Sequence, residues 1–197
     1  MQALYRDLIP TLWLLWLAGW TISGWRTKRV LRAEGIASRL SHLIPLGAGI
    51  ALLVSRRAAG PWLARFVVTQ SAWTFWTGAA LVILGLCFAA WARIHLAGNW
   101  SGTVTLKQDH SLTRTGPYRL VRHPIYTGLL IAILGSAVAE AEWRGLVAFV
   151  LITLSFLRKI VIEERFLTAQ FGDAYACYRA EVPALVPWPG HDENRGP

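Results

Sequence analysis

The chain has 197 residues, of which 54% are hydrophobic and only 16% are charged. Soluble globular proteins carry about 25% charged residues, so this composition excludes a disordered chain, a disulfide-rich scaffold and an ordinary soluble domain. The formal net charge is +9, a value that the positive loops of a membrane protein explain without a nucleic-acid partner. Cys87 lies in an apolar run and Cys177 in a polar one, so no disulfide is expected and an integral membrane protein is the leading class.

Five apolar runs approach the roughly 20 residues that a helix needs to cross a bilayer. In chain order they are residues 8–24, 40–54, 72–92, 126–139 and 145–162. The second and fourth runs are short, which suggests tilted helices, local thinning of the bilayer or helices that begin in their polar flanks. The sequence therefore predicts an all-α, polytopic bundle of about five transmembrane helices.

Lys and Arg residues concentrate in the segments that follow the first, third and fifth runs. Because positive segments stay cytoplasmic, the N-terminus is expected outside and the C-terminus in the cytoplasm. We predict membrane helices in residues 1–92, a core of loop, helical hairpin and C-terminal segment in residues 93–187, and a flexible tail in residues 188–197. The short connection between the fourth and fifth runs predicts an antiparallel hairpin whose cytoplasmic ends lie close together.

The stretch TGPYRLVRHPIYTG, at residues 115–128, brings polar and aromatic side chains to the first of these cytoplasmic ends. They are Tyr118, Arg119, Arg122, His123 and Tyr126. Pro124 fits the first turn of a helix, so His123 is expected at the helix N-terminus, where unpaired N–H groups and the basic side chains favour a carboxylate or phosphate. The alternative is that the two arginines reach lipid headgroups while the two tyrosines form an interfacial belt.

Glu163 and Glu164 follow the fifth apolar run directly, in the stretch RKIVIEERFL. The dipole of a helix C-terminus disfavours carboxylates, so nearby cations, or the ammonium or hydroxyl groups of a ligand, should compensate them. Arg158, Lys159 and Arg165 are the candidate cations, and a solvated, self-paired helix end is the alternative. The sequence contains no HExxH, CxxC, paired DxD or P-loop pattern, so no metal site is expected.

The order GPYRLVRHPIYTG, helical hairpin and EERFLTAQFGDAYACYRAEVPALVP resembles the isoprenylcysteine carboxyl methyltransferase family and, more distantly, the phospholipid methyltransferases. The resemblance covers roughly half of the chain. It implies that S-adenosylmethionine binds in a cytosolic pocket formed by the hairpin and the C-terminal segment, while a lipophilic small molecule or lipid enters from the bilayer. The resemblance implies that this pocket is lined or closed by His123, Pro124, Tyr126, Glu163 and Glu164. It also implies that the adenine or the cofactor channel is framed by Tyr118, Gly128, Tyr175 and Tyr178.

As a hypothesis, the methyl group passes by direct displacement to an acceptor held in line, with positioning and exclusion of water supplying most of the rate. A carboxylate or thiolate acceptor needs no general base, and Arg122 or Arg158 could orient it. An amine or hydroxyl acceptor would need a base, for which Glu163 or Glu164 is the candidate.

Two other classes of protein stay open. One is an NADPH-dependent membrane reductase of the sterol reductase type, and the other is a non-enzymatic membrane carrier or partner protein. The sequence has the general character of a prokaryotic protein, so the inner (plasma) membrane is its expected location. The oligomeric state and the identity of the methyl acceptor are open.

Overall fold

The computed structural model describes residues 2–24, 30–33, 35–96, 105–107 and 112–187. Within these residues the chain forms seven α-helices, one 3-10 helix and one two-stranded sheet. The elements are α1 (Gln2–Gly24), β1 (Val30–Ala33), α2 (Ile36–Val54), α3 (Arg56–Leu63), α4 (Ala72–Leu96), β2 (Thr105–Lys107), the 3-10 helix (Gly116–Arg119), α5 (Pro124–Glu140), α6 (Trp143–Phe171) and α7 (Asp173–Glu181). The tail predicted at residues 188–197 lies outside the described residues.

The helical bundle predicted from the sequence is confirmed, and three helices are long and apolar enough to cross a membrane. These helices are α2, α4 and α6, whereas α5 and the apolar part of α1, at Asp7–Ile22, are shorter. Length and composition thus support three of the five predicted spans, and the crossing of the membrane by α1 and α5 stays a prediction. The sheet was not expected: β1 pairs antiparallel with β2.

The closest helix packing joins α4 to α5 through glycine and alanine. A Cβ atom added to Gly128 of α5 would lie 2.6 Å from the carbonyl oxygen of Gly85 and 2.6 Å from the backbone nitrogen of Ala89, both in α4. Small residues let two helix backbones approach this closely, as is common between membrane helices. Helix α2 packs on α6, and α1 packs on α4.

Helices α5 and α6 form the antiparallel hairpin that the sequence predicts. Ala141, which adopts a left-handed conformation with φ 56°, and Glu142 are the only residues between them. Arg144 stabilises this end of the bundle, because it pairs with Glu140 at 2.8 Å and with Glu142 at 2.6 Å. Its guanidinium also donates to two backbone carbonyls at the end of α2, at 2.9 and 2.6 Å. One buried cation therefore ties α2 to the hairpin, and the opposite hairpin end is left to form the site.

The contact between α4 and α5 predicts that Gly128→Ala lowers the stability of the fold. Its methyl group has no room against the α4 backbone, and overpacking of this kind costs about 1–3 kcal/mol. Gly47→Ala is the matched control, since Gly47 also lies in a helix but has nothing within 4 Å of an added Cβ. The stability of each variant is measured as its apparent melting temperature in detergent. Equal melting temperatures for Gly128→Ala and Gly47→Ala would contradict close packing of α4 on α5.

Candidate functional site

The site lies between the start of α5 and the last third of α6. His123 is the residue before α5, Pro124 is the first residue of that helix, and both are buried. Proline suits this position because its missing N–H is one that the first turn leaves unpaired anyway. Because α5 and α6 are antiparallel, Glu163 and Glu164 in the last third of α6 lie beside His123 at the start of α5.

Two carboxylates bracket the imidazole ring of His123. Its Nδ1 atom lies 3.6 Å from Oε2 of Glu163, and its Nε2 atom lies 3.3 Å from Oε1 of Glu164. Burial alone would lower the pKa of His123, but the hydrogen bonds and negative charges of the two carboxylates outweigh burial and raise the pKa above its usual value of 6.5. The two carboxylates therefore favour the protonated imidazolium form of the ring, in which both N–H groups are directed at carboxylate oxygens.

Tyr126 extends this network towards the middle of the bundle. Its hydroxyl donates to Oε1 of Glu163 at 2.5 Å, and its ring stacks on that of His123 with centroids 5.7 Å apart. The other neighbours of the ring are Phe156, with centroids 4.9 Å apart, and the ammonium of Lys159, at 5.5 Å from the centroid. Tyr126 thus separates the ionic end of the site from the apolar interior.

Arg122 ties the C-terminal segment to the same network. Its guanidinium donates to Oε1 of Glu164 at 3.0 and 2.6 Å, to the carbonyl of Arg179 at 3.1 Å and to the carbonyl of Val182. The backbone N–H groups of Arg122 and His123 donate to the carbonyls of residues 183 and 184. The segment after α7 therefore folds back over the start of α5 and closes that side of the site.

A cavity of about 1020 Å³ extends from this ionic end into the bundle. Its apolar walls come from α1, α2, α5 and α6, and include Trp13, Leu46, Ile50 and Phe156. It follows α5 from Pro124 to Glu140, a path of about 24 Å at 1.5 Å per residue. One continuous space therefore joins a cluster of charged groups to a lining that matches a hydrocarbon chain.

The structure brings eight of the twelve residues selected from the sequence to the wall of this cavity. They are Tyr118, Arg122, His123, Pro124, Tyr126, Glu163, Tyr175 and Tyr178. Tyr178 donates to the carbonyl of Tyr118 at 2.6 Å, and burial raises its pKa to about 12, so it is a neutral structural donor. The buried hydroxyl of Tyr175 lies near the charge of Arg122 but makes no hydrogen bond among the described residues.

The other four residues are placed differently. Arg119 is exposed and is not among the lining residues. Gly128 faces α4 rather than the cavity, because the backbone of that helix occupies the space beside it. Arg158 lies on the side of α6 that faces α2, where it donates to the hydroxyl of Ser41 at 3.2 Å. Glu164 lies behind His123, where it is bound by Arg122 and does not line the cavity.

Lys159 is the lining residue that sequence reasoning ranked too low. It precedes Glu163 by four residues, which places both on one face of α6, whereas Arg158 is rotated away by about a quarter of a turn. The four-residue spacing between Lys159 and Glu163 is the sequence signal that distinguishes Lys159 from Arg158 as a lining residue.

In a comparison with known proteins, residues 73–174 match the family model described as phospholipid methyltransferase. The chain is 34% identical over 107 residues to a protein-S-isoprenylcysteine O-methyltransferase of Schizosaccharomyces pombe, covering 53% of this chain and 45% of that protein. A protein-S-isoprenylcysteine O-methyltransferase B of Arabidopsis thaliana is 30% identical over 122 residues, covering 60% of this chain and 62% of that protein. A methanethiol S-methyltransferase of Mycobacterium tuberculosis is 40% identical over 76 residues, covering 36% of this chain and 29% of that protein.

The chain therefore matches between about half and three fifths of the length of the first two of these relatives. The matched family region contains almost all of α4 and all of α5 and α6, and with them His123, Tyr126 and Glu163. Helices α1 and α2, which supply much of the apolar wall, lie before it.

The bracketed imidazolium predicts how stability depends on pH. A group whose pKa is raised by folding contributes stability that is fully present below its unfolded pKa and is lost as the pH rises through the folded pKa. The wild-type protein should therefore melt at a higher temperature than His123→Gln. This difference in melting temperature should be largest below pH 6.5 and should shrink at alkaline pH. Melting curves of both proteins in detergent over a pH series measure the margin, and a margin that grows with pH would contradict the assignment.

Proposed function

The chain belongs to the phospholipid methyltransferase family, and on that premise we propose that it is an integral membrane enzyme that transfers a methyl group from S-adenosylmethionine to a lipophilic acceptor. The observation that carries the proposal is the single cavity that joins the ionic cluster at His123 and Glu163 to an apolar space between helices. A charged, water-soluble donor and a lipophilic acceptor need these two environments side by side.

The residues at the ionic end fit the donor. S-adenosylmethionine, when bound, supplies a methyl group on a positively charged sulfur, together with a carboxylate, an ammonium and two ribose hydroxyls. The imidazolium of His123 suits a carboxylate, and Glu163 suits an ammonium or a hydroxyl pair. The buried hydroxyl of Tyr175 makes no hydrogen bond among the described residues, so a ligand group is the partner that it lacks. The cavity has ample volume for a ligand of this size.

The apolar part of the cavity fits the acceptor. Helix α1 packs on α4 and α2 packs on α6, and side chains of both α1 and α2, such as Leu17 and Ile50, line the cavity. A lipophilic molecule would enter there from the bilayer. The named relatives act on isoprenylcysteine and on methanethiol, so the acceptors in this group of proteins differ widely in size.

The chain's own residues would act mainly by positioning. His123 and Glu163 hold the donor end rigid, because they form an ion pair and both contact Tyr126: its ring stacks on that of His123, and its hydroxyl donates to Glu163. The segment at residues 182–185 covers the start of α5 and excludes water from that side. Fixed charges in a dry pocket, with the acceptor aligned behind the methyl group, are sufficient to account for a displacement reaction.

In the proposed topology α1 and α5 also cross the membrane, which gives five spans with the N-terminus outside. The site then lies on the cytosolic side of a prokaryotic plasma membrane. Residues 1–92 form the membrane-embedded wall for the acceptor, and residues 93–187 form the catalytic core. The family match does not favour the NADPH-dependent reductase or the carrier considered above.

Binding of S-adenosylhomocysteine tests the proposed donor. We expect saturable binding by calorimetry in detergent and no binding of NADPH. Glu163→Gln should weaken binding about tenfold or more, because it replaces a charged partner in the pocket. Arg165→Gln is the control, since Arg165 is exposed on the same helix and does not line the cavity. Binding of NADPH, or of neither ligand, would contradict the proposal.

Cys177 reports the proposed orientation. It is exposed on α7, beside the site, and Cys87 is the other free cysteine of the described chain. In a Cys87→Ser background, a membrane-impermeant maleimide should label Cys177 in inside-out vesicles and not in right-side-out vesicles. Cys177→Ser should abolish the labelling, and labelling in right-side-out vesicles would place the site on the outer face.

A further inference from the structure

The cavity continues beyond Glu163 along the last turns of α6. The helix runs on to Phe171, and Phe166, Leu167 and Gln170 line the cavity together with Phe171 in this part. Counted from Glu163, these residues recur at intervals of three and four, which places them on one face of α6. Gln170 lies seven residues after Glu163, about 10 Å along the helix axis. The cavity therefore extends about two helix turns past the ionic cluster, in the direction away from the apolar part of α6.

Aromatic rings wall this end of the cavity, which we call the aromatic lobe and define by Gln170, Phe171, Tyr175 and Tyr178. Phe171 packs against the two tyrosines, and so does Leu112, from the chain before the 3-10 helix. The rings of Tyr175 and Tyr178 make an angle of 67°, with centroids 6.1 Å apart. Flat, apolar walls of this kind suit a planar ring system.

Two buried polar atoms in the aromatic lobe have no hydrogen-bond partner among the described residues. One is the hydroxyl of Tyr175, a residue that is only 1% exposed, and the other is Oε1 of Gln170. Native proteins rarely leave such atoms unpaired, because each loses its bonds to water without gaining another. Both residues line the cavity, so a ligand can supply the missing partners. An aliphatic chain would leave both atoms unpaired, which indicates a ligand that is polar as well as planar.

The amide of Gln170 matches one edge of adenine. An amide offers an oxygen that accepts a hydrogen bond and an NH2 group that donates. The N6/N7 edge of adenine offers an amino donor beside a ring nitrogen that accepts, and a glutamine side chain can pair with both. Hypoxanthine has an oxygen in place of the N6 amino group, so its corresponding edge presents two acceptors, as that of guanine does. Beside hypoxanthine, the amide oxygen of Gln170 would find no donor on this edge.

We propose that Gln170 binds the adenine base of the methyl donor in the aromatic lobe, accepts a hydrogen bond from the N6 amino group, and so selects adenine over bases that lack this group. The inference rests on the proposed function and adds the residue that recognises the base of its donor. Neither the sequence pattern nor the family resemblance assigns this role to Gln170. The residue acts on the affinity for the donor and takes no part in the transfer step.

Calorimetry with S-adenosylhomocysteine and S-inosylhomocysteine tests the inference. The two ligands differ only in the base, which is adenine in the first and hypoxanthine in the second. The wild-type protein should bind S-adenosylhomocysteine about tenfold or more tightly than S-inosylhomocysteine, because a site built to pair with an amino group rejects a ligand that lacks it. Gln170→Leu, which removes the amide, should weaken binding of S-adenosylhomocysteine about tenfold and leave that of S-inosylhomocysteine nearly unchanged.

The ratio of the two dissociation constants separates base recognition from a structural role. A variant that merely distorts the pocket loses affinity for both ligands in the same proportion, so its ratio stays that of the wild-type protein. Gln70→Leu is the matched control, since Gln70 donates to the carbonyl of Ala139 at the other end of α5 and both constants should stay unchanged. Equal affinity of the wild-type protein for the two ligands, or an unchanged ratio in Gln170→Leu, would overturn the inference.

The same titrations keep this test apart from that of the proposed function. If the wild-type protein binds S-adenosylhomocysteine and Gln170→Leu keeps the preference for adenine, the inference fails and the methyltransferase proposal stands. If the wild-type protein binds neither ligand, the inference and the proposed function fail together.

Discussion

The fold at the functional end depends on the imidazolium of His123 held between Glu163 and Glu164. The contact joins the start of α5 to the last third of α6, and Arg122 extends it to the carbonyls of Arg179 in α7 and of Val182 directly after that helix. Removing one partner of such a buried ionic group costs about 3–5 kcal/mol, because the remaining charge is left without compensation. The same network therefore closes the bundle and shapes the wall of the cavity, so structure and site are inseparable here.

The selectivity of the cavity depends on the polar groups that line it beside this network. Tyr175 brings a hydroxyl without a hydrogen-bond partner among the described residues, and the ammonium of Lys159 lies over the ring of Tyr126. Part of the apolar wall comes from α1 and α2, which precede the region matched by the family model. A wall formed partly outside the matched region is consistent with relatives named for substrates as different as isoprenylcysteine and methanethiol.

The hairpin could be predicted because short-range rules govern it: Pro124 starts a helix, and a short connection makes neighbours antiparallel. The expected helix end at Glu163 and Glu164 was wrong, because α6 continues to Phe171, but the expectation that cations compensate these carboxylates is confirmed. Helix rotation was harder to predict. Arg158 and Lys159 are adjacent in sequence, yet only Lys159 lines the cavity, and Gly128 faces α4. The pairing of β1 with β2 joins segments far apart in the chain, and no local pattern indicates it.

Transfer of a labelled methyl group tests the central claim most directly. Purified protein is incubated with methyl-labelled S-adenosylmethionine and a lipophilic extract of membranes, and the label is then partitioned between water and organic solvent. The account predicts label in the organic phase with the wild-type protein and with Arg165→Gln, and its loss with Glu163→Gln. Label that stays in the water, or transfer that Glu163→Gln leaves intact, would contradict a donor site joined by one cavity to a lipophilic acceptor.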